Sequence, residues 1–347
     1  MKLGLMLGYS GGDLRLPVVK VQLAERLGYD TVWTAEAYGS DALSPLAYLA
    51  AKTERIRLGT AVIQLAGRTP ANAAMTVATI DALAGGNRVI CGLGVSGPQI
   101  VEGWYGQPWG KPYYRIKDYV TIMKKIFKRE EPVVHEGKEI SLPFTGEGAM
   151  GVGKPLKSIL HMNPDIPIWL GTGMESTVKL TAEIADGWLP LGLVPETVDI
   201  YKPWIQAGLE KAGKTGDAFE IQSGTQVMVT DDVKGALDKL KPNIALYVGG
   251  MGHKNKNFHK EMMIRRGFGD AAERIQELYL AKRKDEANEA VPDEFVDQGA
   301  LVGDKERIQK RFRDWEDSGI TGLTIGGDEQ ELRLMAELAR LNVEPGA

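Results

Sequence analysis

The feature that most constrains the fold of this 347-residue chain is a repeated switch between two hydrophobic periods. Short apolar runs rich in β-branched residues predict eight strands, KLGLML, TVWTAE, IRLGTAVI, RVICGLGV, IPIWLG, DGWLPL, IQSGTQVMVT and GLTIGG. Apolar residues three to four positions apart predict helices over residues 17–27, 45–53, 70–83, 114–129, 176–185, 196–212 and 329–341. A strand followed by a helix, repeated about eight times, is the pattern of a (β/α)8 TIM barrel.

A doubly wound open sheet is the alternative α/β fold. Its dinucleotide fingerprint should follow the first strand, but LGYSGGDLRLP does not contain GxGxxG. Two stretches interrupt the repeat: residues 131–165 resemble a hairpin-bearing insertion, and residues 250–292 form a polar, charged block with helical pieces. We therefore predict one barrel domain over residues 1–347 with two insertions, which in barrels usually lengthen ligand-binding loops.

Composition narrows the classes of partner. A formal net charge of −4 provides no overall field for attracting nucleic acid or an anionic membrane. Cys91 is the only cysteine, which excludes an intrachain disulfide and a thiolate zinc site. No apolar run reaches the roughly 18 residues needed to cross a bilayer. We expect a cytoplasmic protein, a homodimer, that binds small molecules rather than nucleic acid or membrane.

In a barrel of this kind the site lies at the carboxyl ends of the strands. The positions to consider are Tyr9, Glu36, Ala61 to Gln64, Gly94 to Gly97, Gly171 to Ser176, Leu191 and the glycines of IGG. Glu36 is the candidate catalytic carboxylate. The four histidines, His135, His161, His253 and His259, lie in the insertions without HxxxH spacing, so we predict no metal site.

Glycine and backbone dominate these strand ends. GLGVSG and GTGMEST both allow main-chain N–H groups to approach a ligand, and the second leads into a helix whose N-terminus favours an anion. The same glycines are equally compatible with tight turns at φ > 0. Backbone donors with few titratable groups indicate that a bound cofactor performs the chemistry.

Four segments carry a family resemblance: LGYDTVWTAEAYGSDALSPLAYLA, RIRLGTAVI, IDALAGGNRVICGLGVSG and GTGMESTVKLTAEIADGW. They resemble core motifs of the luciferase-like monooxygenase superfamily, in its branch of oxidoreductases dependent on the deazaflavin coenzyme F420. The resemblance implies a bacterial luciferase-like (β/α)8 barrel with F420 at the carboxyl ends of the strands. It also implies hydride transfer between the cofactor and a small organic substrate.

The resemblance also implies where the cofactor binds. Glu36 matches the family's acidic position after the second strand, and a cis peptide is expected between Ala61 and Val62, behind the ring. The segment after the fourth strand would lie near the ribityl chain and ring edge, and GTGMEST would hold the phosphate. The implied cofactor-binding residues are Glu36, Ala61, Val62, Gln64, Gly94, Val95, Ser96, Gly171, Thr172, Gly173, Met174, Glu175 and Ser176.

Two departures bear on the substrate. Sugar-phosphate dehydrogenases of this branch carry a His and a Glu at the positions of Ala37 and Gly97. Without that acid–base pair we expect no sugar-phosphate oxidation, because losing a positioned acid or base costs roughly 10²–10⁴-fold in rate. Reduction of an activated C=C, C=O or C=N bond requires fewer catalytic groups from the protein. The aromatic residues Tyr9, Trp104 and Tyr105 either line the substrate side or pack at the rim.

Three questions stay open from the sequence. An FMN-dependent two-component monooxygenase of the same superfamily shares these motifs, and a non-catalytic cofactor-binding protein is a further alternative. The basic segment HKNKNFHKEMMIRRGFG is either a solvated surface or a site for the oligoglutamate tail of F420. Its cations are Lys254, Lys256, Lys260, Arg265 and Arg266.

Overall fold

The structure, a computed structural model, describes residues 1–252, 256–344 and 346. Its strands are β1 (Lys2–Gly8), β2 (Thr31–Thr34), β3 (Arg57–Thr60), β4 (Ile63–Gln64), β5 (Val89–Gly94), β6 (His135–Glu136), β7 (Ser141–Leu142), β8 (Ile168–Gly171), β9 (Gly187–Trp188), β10 (Glu220–Val229), β11 (Ala300–Gly303) and β12 (Gly322–Gly326). The helices that precede β8 are α1 (Val18–Arg26), α2 (Leu43–Ala50), α3 (Pro70–Leu83), α4 (Pro98–Gly103) and α5 (Pro112–Lys128).

The remaining helices follow β8. They are α6 (Glu175–Ile184), α7 (Val198–Ala212), α8 (Val233–Gly249), α9 (Phe258–Arg265), α10 (Gly269–Leu280), α11 (Lys284–Glu289), α12 (Asp293–Gln298), α13 (Lys305–Asp317) and α14 (Glu329–Leu338), and a 3₁₀ turn, Pro195–Thr197, precedes α7. Within the described residues, no helix is long and apolar enough to cross a bilayer.

Eight parallel strands close into a barrel in the order β1, β2, β3, β5, β8, β9, β10 and β12, with β12 returning to β1. β4 continues β3 after a break and pairs with β5, whereas β11 extends the sheet beside β10. This topology confirms the predicted (β/α)8 barrel. Because all of these strands are parallel, their carboxyl ends meet at one rim.

A network of ion pairs lies at the amino-terminal end of the barrel. Arg57 at the start of β3 donates to Asp30 and to Glu220, and Lys2 pairs with Glu220 at 2.7 Å. Burial alone would lower the pKa of Arg57, but the charges and hydrogen bonds of its two acidic partners raise it. This network supports the bottom of the barrel and leaves the opposite rim for ligands.

The first insertion contains the predicted hairpin, formed by β6 and β7. Asp118 on α5 anchors it, because its Oδ2 accepts hydrogen bonds from the backbone N–H groups of Glu139 and Ile140 at 2.8 and 3.1 Å. The Nε2 atom of His135 lies 3.1 Å from the other carboxylate oxygen of Asp118. One buried carboxylate therefore fixes the hairpin to the barrel.

The helical block between β10 and β12 is larger than the predicted stretch 250–292. Helices α8 to α12 bury a core of their own, separate from the core around the barrel. Asn257 joins α9 to the end of α8: its amide donates to the carbonyls of Tyr247 and Val248, and its Oδ1 accepts from the N–H groups of His259 and Lys260. This capping residue places α9 against the end of α8.

Candidate functional site at the carboxyl ends of the strands

Strand register brings three of the predicted residues side by side. Gln64 in β4 is aligned with Gly94 in β5, and Gly94 is aligned with Gly171 in β8. Ser96, two residues beyond β5, has a left-handed backbone with φ 59°, which is uncommon for a residue other than glycine. The rim therefore gathers the ends of three neighbouring strands at the position expected for a cofactor.

Glu36 lies buried just beyond β2. Its Oε1 accepts from the backbone N–H of Gln64 at 2.9 Å, and its Oε2 accepts from that of Ala42 at 3.1 Å. Arg68 Nη1 lies 2.8 Å from each carboxylate oxygen. Burial alone would lower the pKa of Arg68, but its bond to Glu36, with the charges of Glu36 and Asp41, raises it. Glu36 is built into the rim as an anchor, and a catalytic role for it stays a prediction.

Gln64 provides a buried acceptor. Its Nε2 donates to the backbone carbonyl of Glu36 at 2.9 Å, which fixes the orientation of the amide. The Oε1 atom is buried and has no hydrogen-bond partner among the described residues. Leaving such an atom unsatisfied costs about 1–3 kcal/mol. A ligand with an N–H or O–H group at this position would satisfy it.

The peptide between Ala61 and Val62 is cis, which confirms that expectation. The Val62 side chain lies against Gly94 and Gly171: a Cβ atom on Gly94 would come within 2.6 Å of Val62 Cγ2, and one on Gly171 within 3.1 Å of Cγ1. Both glycines therefore have a packing reason to lack a side chain. Their predicted contacts with a cofactor stay predictions.

The GTGMEST segment leads into α6, which begins at Glu175. The side chain of Met174 at the N-cap accepts no capping hydrogen bond in the described part of the chain, so the first-turn amides lack a side-chain cap. The Thr172 hydroxyl is 2.8 Å from that of Thr181, directed back to the helix. A Cβ atom on Gly173 would meet no described atom within 4 Å. The N–H of Thr177 donates to the Met174 carbonyl at 3.0 Å. The remaining uncapped amides at the start of α6 and the open space at Gly173 are the geometry that an anion requires.

Arg265 of α9 reaches this segment from the second insertion. Its Nη1 donates to the carbonyl of Gly173 at 3.0 Å and to the hydroxyl of Tyr201 at 2.9 Å. The guanidinium also lies over the rings of Tyr201 and Trp204, at 5.6 and 5.8 Å from their centroids. The contact places a positive charge next to the proposed anion cradle.

Two other cations of the basic segment are used inside the helical block. Lys260 pairs with Glu273 at 2.7 Å, and Arg266 donates to the carbonyl of Phe295 at 2.6 Å. Burial lowers the pKa of Arg266 to about 10. These contacts make both side chains structural, so the segment is not a uniform basic surface.

The last two cations of the basic segment are Lys256 and Lys254. The ammonium of Lys256 is 5.0 Å from the centre of the Trp109 ring. Lys254, like His253, lies outside the described residues. Only Lys256 and Arg265 therefore remain as described candidates for contact with an anionic cofactor tail.

The aromatic residues of the rim divide into two groups. Tyr105 donates its hydroxyl to the carbonyl of Ala37 at 3.3 Å, and burial, followed by the charge of Glu36, raises its pKa. Tyr9 is more exposed, and its ring centroid lies 6.4 Å from that of Tyr38. Tyr105 thus packs as part of the rim, whereas Tyr9 stands at its opening.

The described histidines and acidic side chains do not gather into a cluster that could hold a metal ion. Among residues 1–252, 256–344 and 346, no group of three or more His, Cys, Asp or Glu side chains is arranged to hold a metal ion. His135 contacts Asp118, and the ring of His259 lies 4.5 Å from that of Tyr247. Both described contacts are those of packed side chains.

Known proteins are similar to this chain in sequence over most of its length. The family model described as luciferase-like monooxygenase matches residues 3–322. A Mycobacterium tuberculosis protein, whose name assigns it provisionally to the coenzyme F420-dependent oxidoreductases, is 45% identical over 343 residues, which cover 97% of this chain and 99% of that protein.

Two more distant proteins are also similar to this chain, one in sequence and one in fold. The 5,10-methylenetetrahydromethanopterin reductase of Archaeoglobus fulgidus is 29% identical over 322 residues, or 90% of each chain. The solved structure of the coenzyme F420-dependent tetrahydromethanopterin reductase of Methanopyrus kandleri superimposes with a TM-score of 0.80 at 21% identity, covering 98% of this chain and 99% of that one. At this low sequence identity, the similarity to the Methanopyrus kandleri structure shows a shared fold only.

Proposed function

Since the chain belongs to the luciferase-like monooxygenase family and is an F420-dependent oxidoreductase, we propose that it reduces an activated C=C, C=O or C=N bond of a small organic substrate. Bound F420 in its reduced form supplies the hydride. The protein's contribution is to hold the ring and phosphate, to orient the acceptor and to exclude competing reactions.

The residues at the rim fit this cofactor. The unsatisfied Oε1 of Gln64 would accept an N–H of the ring system, and the open backbone around Gly173 would receive the phosphate. Arg265 adds a positive charge beside that backbone. We propose the remaining cofactor contacts on the predicted residues Ala61, Val62, Gly94, Val95, Ser96, Gly171, Thr172, Met174, Glu175 and Ser176.

The observation that favours reduction over oxidation is that the Glu36 carboxylate is already hydrogen-bonded. Its two carboxylate oxygens already accept bonds from Arg68 and from two backbone amides. With Ala37 and Gly97 beside the strand ends, alcohol oxidation would lack the free base that it needs. Reduction needs only a hydride and a proton.

Two alternatives follow from the same family. The family's description as monooxygenases favours an FMN-dependent two-component oxygenase, for which FMN should bind more tightly than F420. A non-catalytic cofactor-binding protein would bind F420 and show no turnover with any acceptor.

We also propose that each chain forms one barrel domain with two insertions. Two such chains would form a homodimer in the cytoplasm. Helices α2 and α3 contact each other and expose Tyr48, Met75 and Leu83 to solvent by 53, 57 and 68%. Exposed apolar side chains of this size on two adjacent helices favour self-association. Sedimentation equilibrium should give twice the chain mass, and Met75→Lys should shift it toward the monomer.

Calorimetric titration tests the cofactor assignment. Purified protein should bind F420 at least tenfold more tightly than FMN. Equal or tighter binding of FMN would favour the monooxygenase alternative and contradict the proposal.

A further inference from the structure

Two successive carbonyl groups of the GTGMEST segment accept hydrogen bonds from side chains outside it. Trp188 of β9 donates its Nε1–H to the carbonyl of Thr172 at 2.9 Å. Arg265 of α9 donates to the next carbonyl, that of Gly173, at 3.0 Å. In an extended strand, successive carbonyls alternate between opposite sides of the chain, so the position of these two donors decides how the segment is turned.

The two donors belong to one packed cluster. The rings of Trp188 and Tyr201 have centroids 5.2 Å apart, and both side chains are buried. The Tyr201 hydroxyl accepts a hydrogen bond from Arg265 Nη1 at 2.9 Å, and the guanidinium lies over the Tyr201 ring at 5.6 Å. Because the three side chains contact one another in a row, the carbonyls of Thr172 and Gly173 are directed to the same side of the segment.

The N–H groups of the same two peptides are directed to the other side. The peptides that join Thr172 to Gly173 and Gly173 to Met174 are trans, and in a trans peptide the N–H points away from the carbonyl. The N–H groups of Gly173 and Met174 have no hydrogen-bond partner among the described residues. Two adjacent N–H groups on one side of the chain form a concavity that binds anions.

Arg265 also brings a charge that no described acid balances. Its half-buried guanidinium has no ion-pair partner in residues 1–252, 256–344 and 346. Nη1 bonds Gly173 and Tyr201, which leaves the N–H donors of Nε and Nη2 for a ligand. A cation in this position is stabilised by an anion that binds beside it.

We propose that Arg265 and Trp188 are positioning residues of the cofactor's phosphate site. The two side chains hold the carbonyls of Thr172 and Gly173, which turns the next two backbone N–H groups toward the phosphate. The inference rests on the proposed function, in which GTGMEST receives the phosphate, and adds what orients that segment. It gives the second insertion a role in cofactor binding, because α9 carries Arg265 to a loop 92 residues away in the chain.

Calorimetry on the full chain tests the proposal with two ligands, F420 and the deazaflavin that keeps the ribityl chain but lacks the phosphate and its tail. Arg265→Met keeps the length of the side chain and removes its donors and charge. It should weaken F420 binding about tenfold and leave the Kd of the phosphate-free compound unchanged within twofold. A role limited to packing would affect both ligands, so equal losses would overturn the proposal.

Tyr201→Phe separates positioning from charge, because it removes only the hydroxyl that fixes the guanidinium. It should weaken F420 binding about threefold and leave the phosphate-free compound unaffected. Undiminished affinity in this variant, beside a loss in Arg265→Met, would mean that Arg265 acts through its charge alone and would overturn its positioning role. Lys202→Met is the matched control and should keep the wild-type Kd, since it removes an exposed positive charge that pairs with Asp199 at 2.7 Å.

A second readout needs no cofactor. Inorganic phosphate, added to deuterated ¹⁵N-labelled protein, should shift the amide resonances of Gly173 and Met174. The same shifts should require more phosphate in Arg265→Met and in Trp188→Phe, which removes the donor to Thr172 and keeps an aromatic ring. A variant that titrates like the wild type would overturn the positioning role of the residue it changes.

The outcomes separate the two proposals. Wild type that binds F420 no more tightly than the phosphate-free compound overturns the phosphate site and this inference with it. Wild type that reduces no acceptor, with the phosphate-dependent binding and its loss in Arg265→Met both observed, overturns the proposed reduction and supports the positioning of the segment.

Discussion

Arg68 Nη1 lies 2.8 Å from both carboxylate oxygens of Glu36, and this ion pair joins the loop after β2 to the loop after β4. Arg68→Ala would leave Glu36 buried without its counter-charge. We expect a loss of about 3–5 kcal/mol in the free energy of unfolding, measured by urea denaturation.

The exposed pair of Arg274 and Glu277, at 3.0 Å, provides the control. Arg274→Ala should change the free energy of unfolding by less than about 1 kcal/mol. If both variants lose the same small amount, the Glu36–Arg68 pair is not the anchor of the rim.

Local sequence patterns were sufficient to predict most strands and helices of the barrel. The predicted helix 70–83 coincides with α3, where Thr69 caps the N-terminus and Pro70 occupies the first turn. The predicted strand IRLGTAVI is divided into β3 and β4 at Ala61 and Val62, where the peptide is cis. The strand pattern does not show such a break, which was expected only from the family resemblance.

Two long helices were missed for different reasons. α8 contains Pro242, which usually argues against a helix interior, yet the helix continues through it. α13 had a usable signal: Asp304 caps it, and Ile308, Phe312 and Trp315 repeat at four- and three-residue intervals and are buried. The helical block formed by α8 to α12 was underestimated because α8 was left out, whereas the buried residues of α13 belong to the core around the barrel.

The site was less predictable than the fold. Glu36 and Gln64 were expected at the rim, but the ion pair of Glu36 with Arg68 joins residues 32 positions apart in the chain. Arg265 reaches Gly173 across 92 residues. Contacts of this kind depend on tertiary packing and leave no local pattern in the sequence.

Gln64→Ala should weaken F420 binding about tenfold, because it removes the buried acceptor proposed to bind the ring. Gln222→Ala is the matched control: its Oε1 is also buried without a described partner, but it is aligned with Gly322 at the start of β12, away from the rim. Fluorescence titration should give wild-type Kd for that variant. Equal losses in both would remove Gln64 from the site.

Gly173→Asp should abolish F420 binding while the barrel stays folded. A Cβ atom there meets no described atom within 4 Å, so the fold should accept the side chain, but its carboxylate would oppose the phosphate. Gly173→Asn, which has nearly the same shape without the charge, should retain more affinity. Calorimetry that shows wild-type affinity for a folded Gly173→Asp would exclude GTGMEST as the phosphate site.

Glu25 should make part of the stability depend on pH. Burial alone would raise its pKa, but hydrogen bonds from the backbone N–H groups of Arg55, Ile56 and Glu54 lower it overall. A lowered pKa in the folded state means that the stabilisation is present above about pH 4.5 and is lost as the pH falls through the folded-state pKa.

Glu25→Gln should therefore lower the free energy of unfolding by about 1 kcal/mol at pH 7, a small loss because Glu25 is partly exposed to solvent. The difference from wild type should shrink in acid. Urea denaturation at a series of pH values measures it. A difference that stays constant from neutral pH to pH 3 would assign the effect to shape rather than to charge.

Stopped-flow oxidation of reduced F420 tests the central claim most directly. The enzyme should oxidise reduced F420 in the presence of an electron-poor enone, imine or nitro compound, and it should not reduce F420 with glucose 6-phosphate, since Ala37 and Gly97 replace the acid–base pair. Rapid turnover of glucose 6-phosphate, or a faster reaction with reduced FMN and O₂ than with reduced F420, would contradict the account.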